Sequence, residues 1–424
     1  MTQIKSLRTG IKFKDTPIGK IPVDWEARKL GDVCDVIGGS TPSTAIKEYW
    51  DGDILWATPT DITKLNGRTI EETKQRISEI GLKSCAANLL PKGSILMTSR
   101  ATIGACAINV KPMATNQGFS SLVCSKQAVN WFIYYVVLFF RKELERLGSG
   151  STFKEISKKS VKALYIPLPP FPEQTKIAEI LTTVDDAIEE TDRIIEKTKE
   201  LKKGLMKRLL TRGIGHKKFK KTEIGNIPED WKVVRLREIA TIIDCKHRTP
   251  KYSNDGYPVI RPRDVKEGPL DCSNCLRTTE EEYLDLVENY KPKVNDIVYS
   301  RNASFGVAAI VAEEKPFAIG QDVCIISGNQ LKGQFLFYLL NSALIKAQLI
   351  KLSAGSTFKR INLQDIRNYY VPLIEDKEQK EIASVLFSID EVINKEENYK
   401  VILEQTKKSL MQVILTGRIR IKLH

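Results

Sequence analysis

Histidine is scarce in this chain of 424 residues, which contains only His216, His247 and His424. None of the three stands in an HExxH or HxE setting, so the usual motifs of zinc enzymes are missing. The chain also lacks a Walker A loop, a Gly-x-Gly-x-x-Gly loop after a strand and a Gly-x-Ser-x-Gly elbow. The sequence therefore gives little sign of nucleotide binding, of a methyl-donor site or of catalysis.

Long apolar runs are lacking as well. The longest, Trp131 to Phe140, is too short to cross a bilayer and is typical of a buried helix. The N-terminal residues show no apolar segment of a signal peptide. We therefore expect a cytoplasmic protein that does not contact a membrane.

Cysteine is present but scattered over eight positions, as expected for small core residues in a reducing compartment. Cys272 and Cys275 have the spacing of half a zinc site, but no second pair accompanies them. We therefore expect this chain to bind no metal and no cofactor.

Basic residues exceed acidic ones, giving a net charge of +14 and a pI near 9.2. Such an excess favours a polyanionic partner such as nucleic acid or an acidic membrane surface. It is concentrated between Leu201 and Lys221, where no acidic residue occurs. Contact with phosphates and a solvated helix end that complements its own dipole are both consistent with this stretch.

The most informative feature is a duplication with an offset of about 205 residues. The segment from Phe13 to Trp25 recurs from Phe219 to Trp231, and Gly150–Lys154 recurs as Gly355–Lys359. A unit of this length is a duplicated domain rather than a short solenoid repeat. We expect an α+β fold with two similar globular parts and approximate two-fold symmetry.

Each half ends in a long amphipathic helix. Apolar residues recur with 4-3 spacing from Ile177 to Leu209 and again from Ile382 to Ile414, occupying seven of ten positions in each copy. This pattern predicts two antiparallel coiled-coil helices that pair with each other. Two amphipathic helices that each pack on their own domain are the alternative.

The globular parts share framing segments but differ in the polar residues between them. In the repeated frame, Arg100 matches Arg301 and Lys154 matches Lys359, and these cations are candidates for contacts with DNA bases or phosphates. A structural ion pair is the alternative for the arginines. The unrepeated candidates are Ser40, Thr41, Thr60, Asp61, Asn116 and Gln117 in the first half and Lys246, His247, Arg248, Arg261, Arg263 and Gln321 in the second.

One frame with two sets of polar side chains would read two different DNA sequences. Asn and Gln are suited to adenine, Arg and Lys to guanine, and Asp to cytosine. Ordinary loop drift after the duplication would give the same pattern.

The repeated segments resemble those of the specificity subunits of type I restriction-modification systems. The resemblance lies in the Ile-Pro-x-Asp-Trp phrase, the Gly-Ser-Thr-Phe-Lys loop, the helix entry from Ile166 to Gln174 and the helix exit from Gly204 to Thr211. It covers both halves, although the second helix entry, Val371 to Gln379, lacks the double proline.

The resemblance implies two target recognition domains that read a bipartite DNA site across an unread spacer set by the helix pair. It also implies two modification subunits, which use S-adenosylmethionine, and restriction subunits, which use ATP and Mg²⁺, as partners. The expected segments are a tail (1–12), target recognition domain 1 (13–171), spacer helix 1 (172–215), target recognition domain 2 (216–376), spacer helix 2 (377–417) and a second tail (418–424).

Two other function classes remain open on the sequence. A self-sufficient methyltransferase-nuclease would require motifs that the chain lacks. A coiled-coil scaffold whose globular ends bind proteins is the stronger alternative, and DNA binding distinguishes it from a specificity subunit.

Overall fold

The duplication in the sequence is a duplication of the whole strand arrangement. The computed structural model describes residues 12–150, 154–302, 306–353 and 360–421. Module 1, residues 13–170, contains β1 (Phe13–Thr16), β2 (Gly19–Pro22), β3 (Glu26–Lys29), α1 (Leu30–Val33), β4 (Cys34–Gly38), β5 (Trp50–Ala57), α2 (Pro59–Thr63), β6 (Thr69–Ile70), β7 (Gln75–Ile77), α3 (Glu79–Lys83), β8 (Ile95–Met97), β9 (Cys106–Asn109), β10 (Ala114–Thr115), β11 (Ser120–Cys124), α4 (Asn130–Phe139), α5 (Arg141–Leu147), α6 (Lys158–Ala163) and β12 (Tyr165–Leu168).

The first long helix, α7 (Phe171–Arg212), leads to module 2, and the second, α13 (Asp376–Ile414), follows it. Module 2, residues 219–375, contains β13 (Phe219–Thr222), β14 (Gly225–Pro228), β15 (Lys232–Arg235), α8 (Leu236–Ile239), β16 (Ala240–Asp244), β17 (Tyr257–Ile260), β18 (Gly268–Pro269), β19 (Leu276–Thr278), α9 (Glu280–Leu286), β20 (Ile297–Ser300), β21 (Ala308–Ile310), β22 (Ala318–Ile319), β23 (Val323–Gly328), α10 (Gly333–Asn341), α11 (Ala343–Ser353), α12 (Leu363–Arg367) and β24 (Tyr370–Leu373).

The sheets of the two modules have the same topology. The five-stranded sheet has the order β4-β11-β8-β9-β6 in module 1 and β16-β23-β20-β21-β18 in module 2. The three-stranded sheet is β10-β5-β7 in one and β22-β17-β19 in the other. Most pairs are antiparallel, but β6–β9 and β5–β10 in module 1 and their counterparts β18–β21 and β17–β22 in module 2 are parallel. This mixed arrangement confirms the predicted duplicated α+β fold.

The predicted apolar helix is buried as expected. Phe132, Ile133 and Tyr135 of α4 lie in the module 1 core. The predicted run from Trp131 to Phe140 matches α4, and α5 begins as a separate helix because Phe140 leaves the helical conformation with ψ near 11°.

Two apolar helices, α10 and α11, also contribute to the module 2 core. Together they are about as long and apolar as a transmembrane helix. Within the described ranges no single helix is long and apolar enough to cross a membrane. The pair α10 and α11 reaches the length and composition only together, and it bends by 52° between them. Seven of the nine residues of α10, Phe335 to Asn341, are buried in module 2.

The long helices confirm the predicted seam. Every position of the 4-3 pattern, from Ile177 to Leu209 and from Ile382 to Ile414, is buried or half-buried. The observed bounds differ from the predicted ones by at most three residues at each end. Helix α7 ends where Gly213 adopts a φ of 61°, a conformation that suits glycine. A Cβ at this position would lie 2.7 Å from the Trp231 ring.

The chain divides into two compact units whose boundary passes through both long helices. Unit 1 comprises Met1–Arg193 and Glu397–His424, and unit 2 comprises Ile194–Glu396. The sequence-based segments placed boundaries at the helix ends instead. The difference arises because each half of a long helix packs on a module and shares its core.

In unit 1 the two helices run antiparallel and are joined by ion pairs. Lys407 Nζ lies 2.7 Å from Asp185, and Lys400 Nζ lies 2.6 Å from Asp192. Both lysines occupy polar positions of the 4-3 seam, so these two interruptions of the apolar pattern form ion pairs between the helices.

Unit 2 repeats this arrangement. Lys202 Nζ lies 2.8 Å from Asp390 and 3.2 Å from Glu267. Burial by itself lowers the pKa of Lys202, but the hydrogen bond with Asp390 and the charge of Glu267 outweigh it and raise the pKa. Further along, His216 lies 3.0 Å from Glu378, which shows that the helices are antiparallel here too.

A buried tyrosine joins one of these ion pairs in each unit. Tyr135 donates to Asp185 over 2.7 Å, and Lys407 lies over the Tyr135 ring. In unit 2, Tyr338 donates to Asp390 over 2.8 Å beneath Lys202. Burial and the neighbouring carboxylate raise the pKa of both tyrosines, so each hydroxyl remains a donor. We call each group of three a Tyr-Asp-Lys triad.

The helix entries are held by matching contacts as well. Trp25 donates to Glu173 in unit 1, and Trp231 donates to Glu378 in unit 2, each over 3.0 Å. One position differs between the units: Arg420 binds Glu173, whereas His216 binds Glu378.

We expect the triads to be unequal in strength. Asp185→Asn should cost about 3 kcal/mol in the free energy of unfolding, because it leaves Lys407 partly buried without a counter-charge. Asp390→Asn should cost less, because Lys202 keeps Glu267. Urea denaturation followed by circular dichroism measures both.

The double variant Asp185→Asn with Lys407→Met serves as the control. It removes the stranded charge and should recover most of the loss. Equal losses for the two single variants, or a double variant no more stable than Asp185→Asn, would contradict this role for the triads.

Candidate nucleic-acid interface

Three loops of module 1 meet at one edge of its sheets. Ser40 N donates to Thr115 O over 3.0 Å, and Asn116 N donates to Ala57 O over 3.0 Å. The Thr41 hydroxyl donates to the Gln117 side-chain oxygen. Gly39 is required here, since a Cβ would lie 2.1 Å from Asn116 O. The sequence-predicted residues on the loops after β4 and β10 and at the start of α2 are thus brought together.

The same edge continues to the two predicted cations of module 1. Ser99 N donates to Gly118 O over 2.8 Å, which places Arg100 beside this loop. Ala101 N donates to Lys154 O over 3.2 Å. The Lys154 side chain is exposed and binds no other described residue. The predicted residues of module 1 therefore form one continuous surface.

Some of these side chains are already used within the module. Asp61 caps α2 by accepting from Thr58 N over 2.7 Å, and it also accepts from Lys74 N. Asn116 accepts from Gly118 N over 2.9 Å. Thr60 and Gln117 are exposed. The Thr60 hydroxyl and the Gln117 amide nitrogen face solvent, whereas the Gln117 side-chain oxygen accepts from Thr41.

Module 2 brings its predicted residues to the equivalent edge. Gly320 N donates to Ile260 O over 2.8 Å, matching the bond between Asn116 and Ala57. Arg261 is held by Asp264 over 2.8 Å. Arg263 and Gln321 are exposed, and neither side chain binds another residue of the described ranges.

The loop after β16 carries three predicted residues, all of them paired. Lys246 Nζ lies 2.6 Å from Asp285 and 3.0 Å from Glu288. Arg248 binds Glu282 and Asp285, and His247 lies 2.8 Å from Asp244.

The repeated arginines have different environments. Arg100 is about half exposed (48%) and pairs with Glu155 over 2.6 Å. The Arg301 side chain is only 5% exposed; it donates to Ile361 O over 3.0 Å and to Asp244 over 2.9 Å. Asp244 ends β16 at the position where Gly38 ends β4, so only module 2 has a carboxylate to hold a buried arginine.

The prediction that Arg301 contacts DNA stays a prediction, and it would require the pair with Asp244 to open. Lys359 lies outside the described residues. For the remaining predicted residues, the structure supports a location at the two loop edges.

Sequence reasoning missed the carboxylates that hold the cations. Glu155 holds Arg100, and Glu282, Asp285 and Glu288 hold Lys246 and Arg248. The run of three glutamates at the start of α9, unusual in so basic a chain, was the available signal.

One group of possible metal ligands occurs among the described residues. Asp244, Cys245 and His247 offer atoms within 4.8 Å of one another. Asp244 already accepts from Arg301, from Cys245 N and from His247, and burial raises the pKa of the Cys245 thiol. These contacts fit a hydrogen-bonded group rather than a cation site.

Comparison with known proteins identifies close relatives. A model described as the type I restriction modification DNA specificity domain matches residues 22–200 and 228–404. The specificity subunit of type I restriction enzyme MjaIX from Methanocaldococcus jannaschii is 30% identical over 430 residues and 97% of each chain. The MjaVIII specificity subunit of the same organism is 30% identical over 97% of this chain and 96% of its own.

A solved structure has the same fold. The S subunit of a type I restriction-modification system from M. genitalium gives a TM-score of 0.58 at 16% identity, over 98% of this chain and 99% of its own.

The different burial of the two repeated arginines can be tested with a matched pair of substitutions. Arg301→Gln should cost about 3 kcal/mol in the free energy of unfolding, because Asp244 loses the cation that compensates it. Arg100→Gln should cost at most about 1 kcal/mol, because its ion pair is exposed to solvent. Urea denaturation of both variants measures the difference, and equal costs would mean that burial does not separate their roles.

Proposed function

Because this chain belongs to the family of type I restriction-modification DNA specificity proteins, we propose that it is the DNA-reading subunit of such a complex. Each module reads one half of a bipartite target, and the long helices set the unread distance between the halves. One observation carries the proposal: two copies of the same fold present different polar side chains at the same edge.

The side chains suggest how the two halves would differ. Module 1 offers neutral groups such as Thr60 and Gln117, and a glutamine amide can bind adenine through two hydrogen bonds, which here requires the Gln117 oxygen to release the Thr41 hydroxyl. Module 2 offers Arg263, whose guanidinium fits the two acceptors on guanine. Lys154 and Arg100 add positive charge for phosphates beside the module 1 loops.

The outer face of α13 is suited to a protein partner. On the part of α13 that belongs to unit 2, Val385 and Val392 lie seven residues apart outside the seam, and both are exposed. They form an apolar face of the kind that marks protein interaction sites. We propose that it contributes to docking of the modification subunits.

Chemistry would then be supplied by the partners. Two modification subunits would carry S-adenosylmethionine, and restriction subunits would carry ATP and Mg²⁺. This chain would contribute recognition and geometry and no catalytic group. Its place of action would be the cytoplasm, where the DNA is.

Salt dependence of DNA binding tests the proposal against a scaffold that binds only proteins. Together with its modification subunit, the chain should bind mixed-sequence duplex with an affinity that falls at least tenfold between 50 and 200 mM salt, on the order expected for several phosphate contacts. Fluorescence anisotropy measures this. An absent or salt-independent interaction would contradict the DNA-reading role.

A pair of charge-matched variants locates the contact. Arg263→Ala should weaken binding of DNA, whereas Lys315→Ala, which removes the same charge from before β22, should change it little. Lys315 pairs with Glu313 and lies at the opposite end of β22 from Gln321. Equal effects of the two variants would argue against binding at the predicted edge.

A further inference from the structure

Helix α9 and the segment after it form a compact acidic surface in a basic protein. Between Thr279 and Tyr290 there are five carboxylates, and no lysine or arginine occurs. We call Glu282, Asp285 and Glu288 the acidic face of α9. All three contact the loop after β16, which carries the predicted DNA-contacting residues Lys246, His247 and Arg248.

The acidic face holds two cations of that loop. Lys246 contacts Asp285 and Glu288 at 2.6 and 3.0 Å, and Arg248 contacts Glu282 and Asp285. Hydrogen bonds with these carboxylates raise the pKa of Lys246 and lower that of Asp285. Glu282 is fixed in place by a further bond from Lys251 N.

Module 1 lacks both the loop cations and the helix carboxylates at the equivalent positions. Its equivalent loop, Gly38 to Pro42, contains no cation. Its equivalent helix, α3, follows Ser78 as α9 follows Thr279, and it has Gly81 and Ser84 at the positions of Glu282 and Asp285. The cations and the carboxylates therefore occur together in one module and are absent together from the other.

Pairing with carboxylates lowers the binding free energy that Lys246 and Arg248 can obtain from DNA phosphates. A lysine without a carboxylate partner contributes favourable binding free energy at any phosphate, whatever the DNA sequence. Such contacts supply most of the non-specific affinity. Lys246 and Arg248 must first give up carboxylates, and the carboxylates then face the DNA phosphates. A phosphate contact alone offsets little of this cost. At a correct site, base contacts contribute further binding free energy and offset more of it.

We propose that the acidic face of α9 determines specificity without touching DNA, by competing with phosphates for Lys246 and Arg248 and so suppressing non-specific binding through module 2. This inference rests on the proposed function of module 2 as a DNA reader.

The test uses the full chain assembled with its modification subunit and carrying Asp285→Asn and Glu288→Gln. Both residues are exposed, and both substitutions keep the side-chain shape. Affinity for a duplex without a target site should rise about tenfold. The slope of log affinity against log salt should steepen by about 1 to 2, as expected if one or two cations now contact phosphates.

Glu280→Gln with Glu281→Gln is the matched control. It makes the same change in net charge on the same helix, but neither side chain pairs with a residue of the described ranges. Its effect should be less than about twofold, given screening beyond roughly 8 Å at physiological salt. Adding Lys246→Ala to the first variant should remove most of the gain.

The outcomes separate the two ideas. If the unaltered complex does not bind DNA, the proposed function fails. If it binds, and Asp285→Asn with Glu288→Gln leaves non-specific affinity unchanged, lowers it, or raises it no more than the control does, the competition is refuted while the proposed function stands.

Discussion

The buried ion pair between a lysine of one long helix and an aspartate of the other is the contact on which each unit depends. Lys407 meets Asp185 in unit 1, and Lys202 meets Asp390 in unit 2. A purely apolar seam tolerates sliding by a heptad, whereas a charged pair inside it stabilises one register. The tyrosine of each triad extends this constraint from the helices to the module core.

The surfaces that the helices offer to the modules are nearly the same in both units. Ile177, Ala178 and Leu181 pack in unit 1 where Ile382, Ala383 and Leu386 pack in unit 2. The Trp-Glu contact at each helix entry is repeated as well. Polar residues at the loop edges are not repeated. The duplication has thus preserved the contacts that hold a module in place and changed those that face outward.

The strands, the seam and the long helices could be predicted from the sequence, because each depends on a local period or on a repeated phrase. The different environments of Arg100 and Arg301 could not be predicted in this way. Both follow a serine in the same frame, but a carboxylate far away in sequence, Asp244, allows Arg301 to be buried. The pairing of the acidic face of α9 could not be predicted for the same reason, because its partners are 34 to 42 residues away and meet it only in the folded module.

The central claim is that repeated residues hold the modules and unrepeated residues read DNA. It is tested most directly by a chain in which residues 219–374 are replaced by a second copy of residues 13–169, expressed with its modification partner. Methylation-sensitive sequencing of the host DNA should return a motif with two copies of the half-site read by module 1. A folded, assembled complex that still methylates the original motif of two different halves would contradict the account.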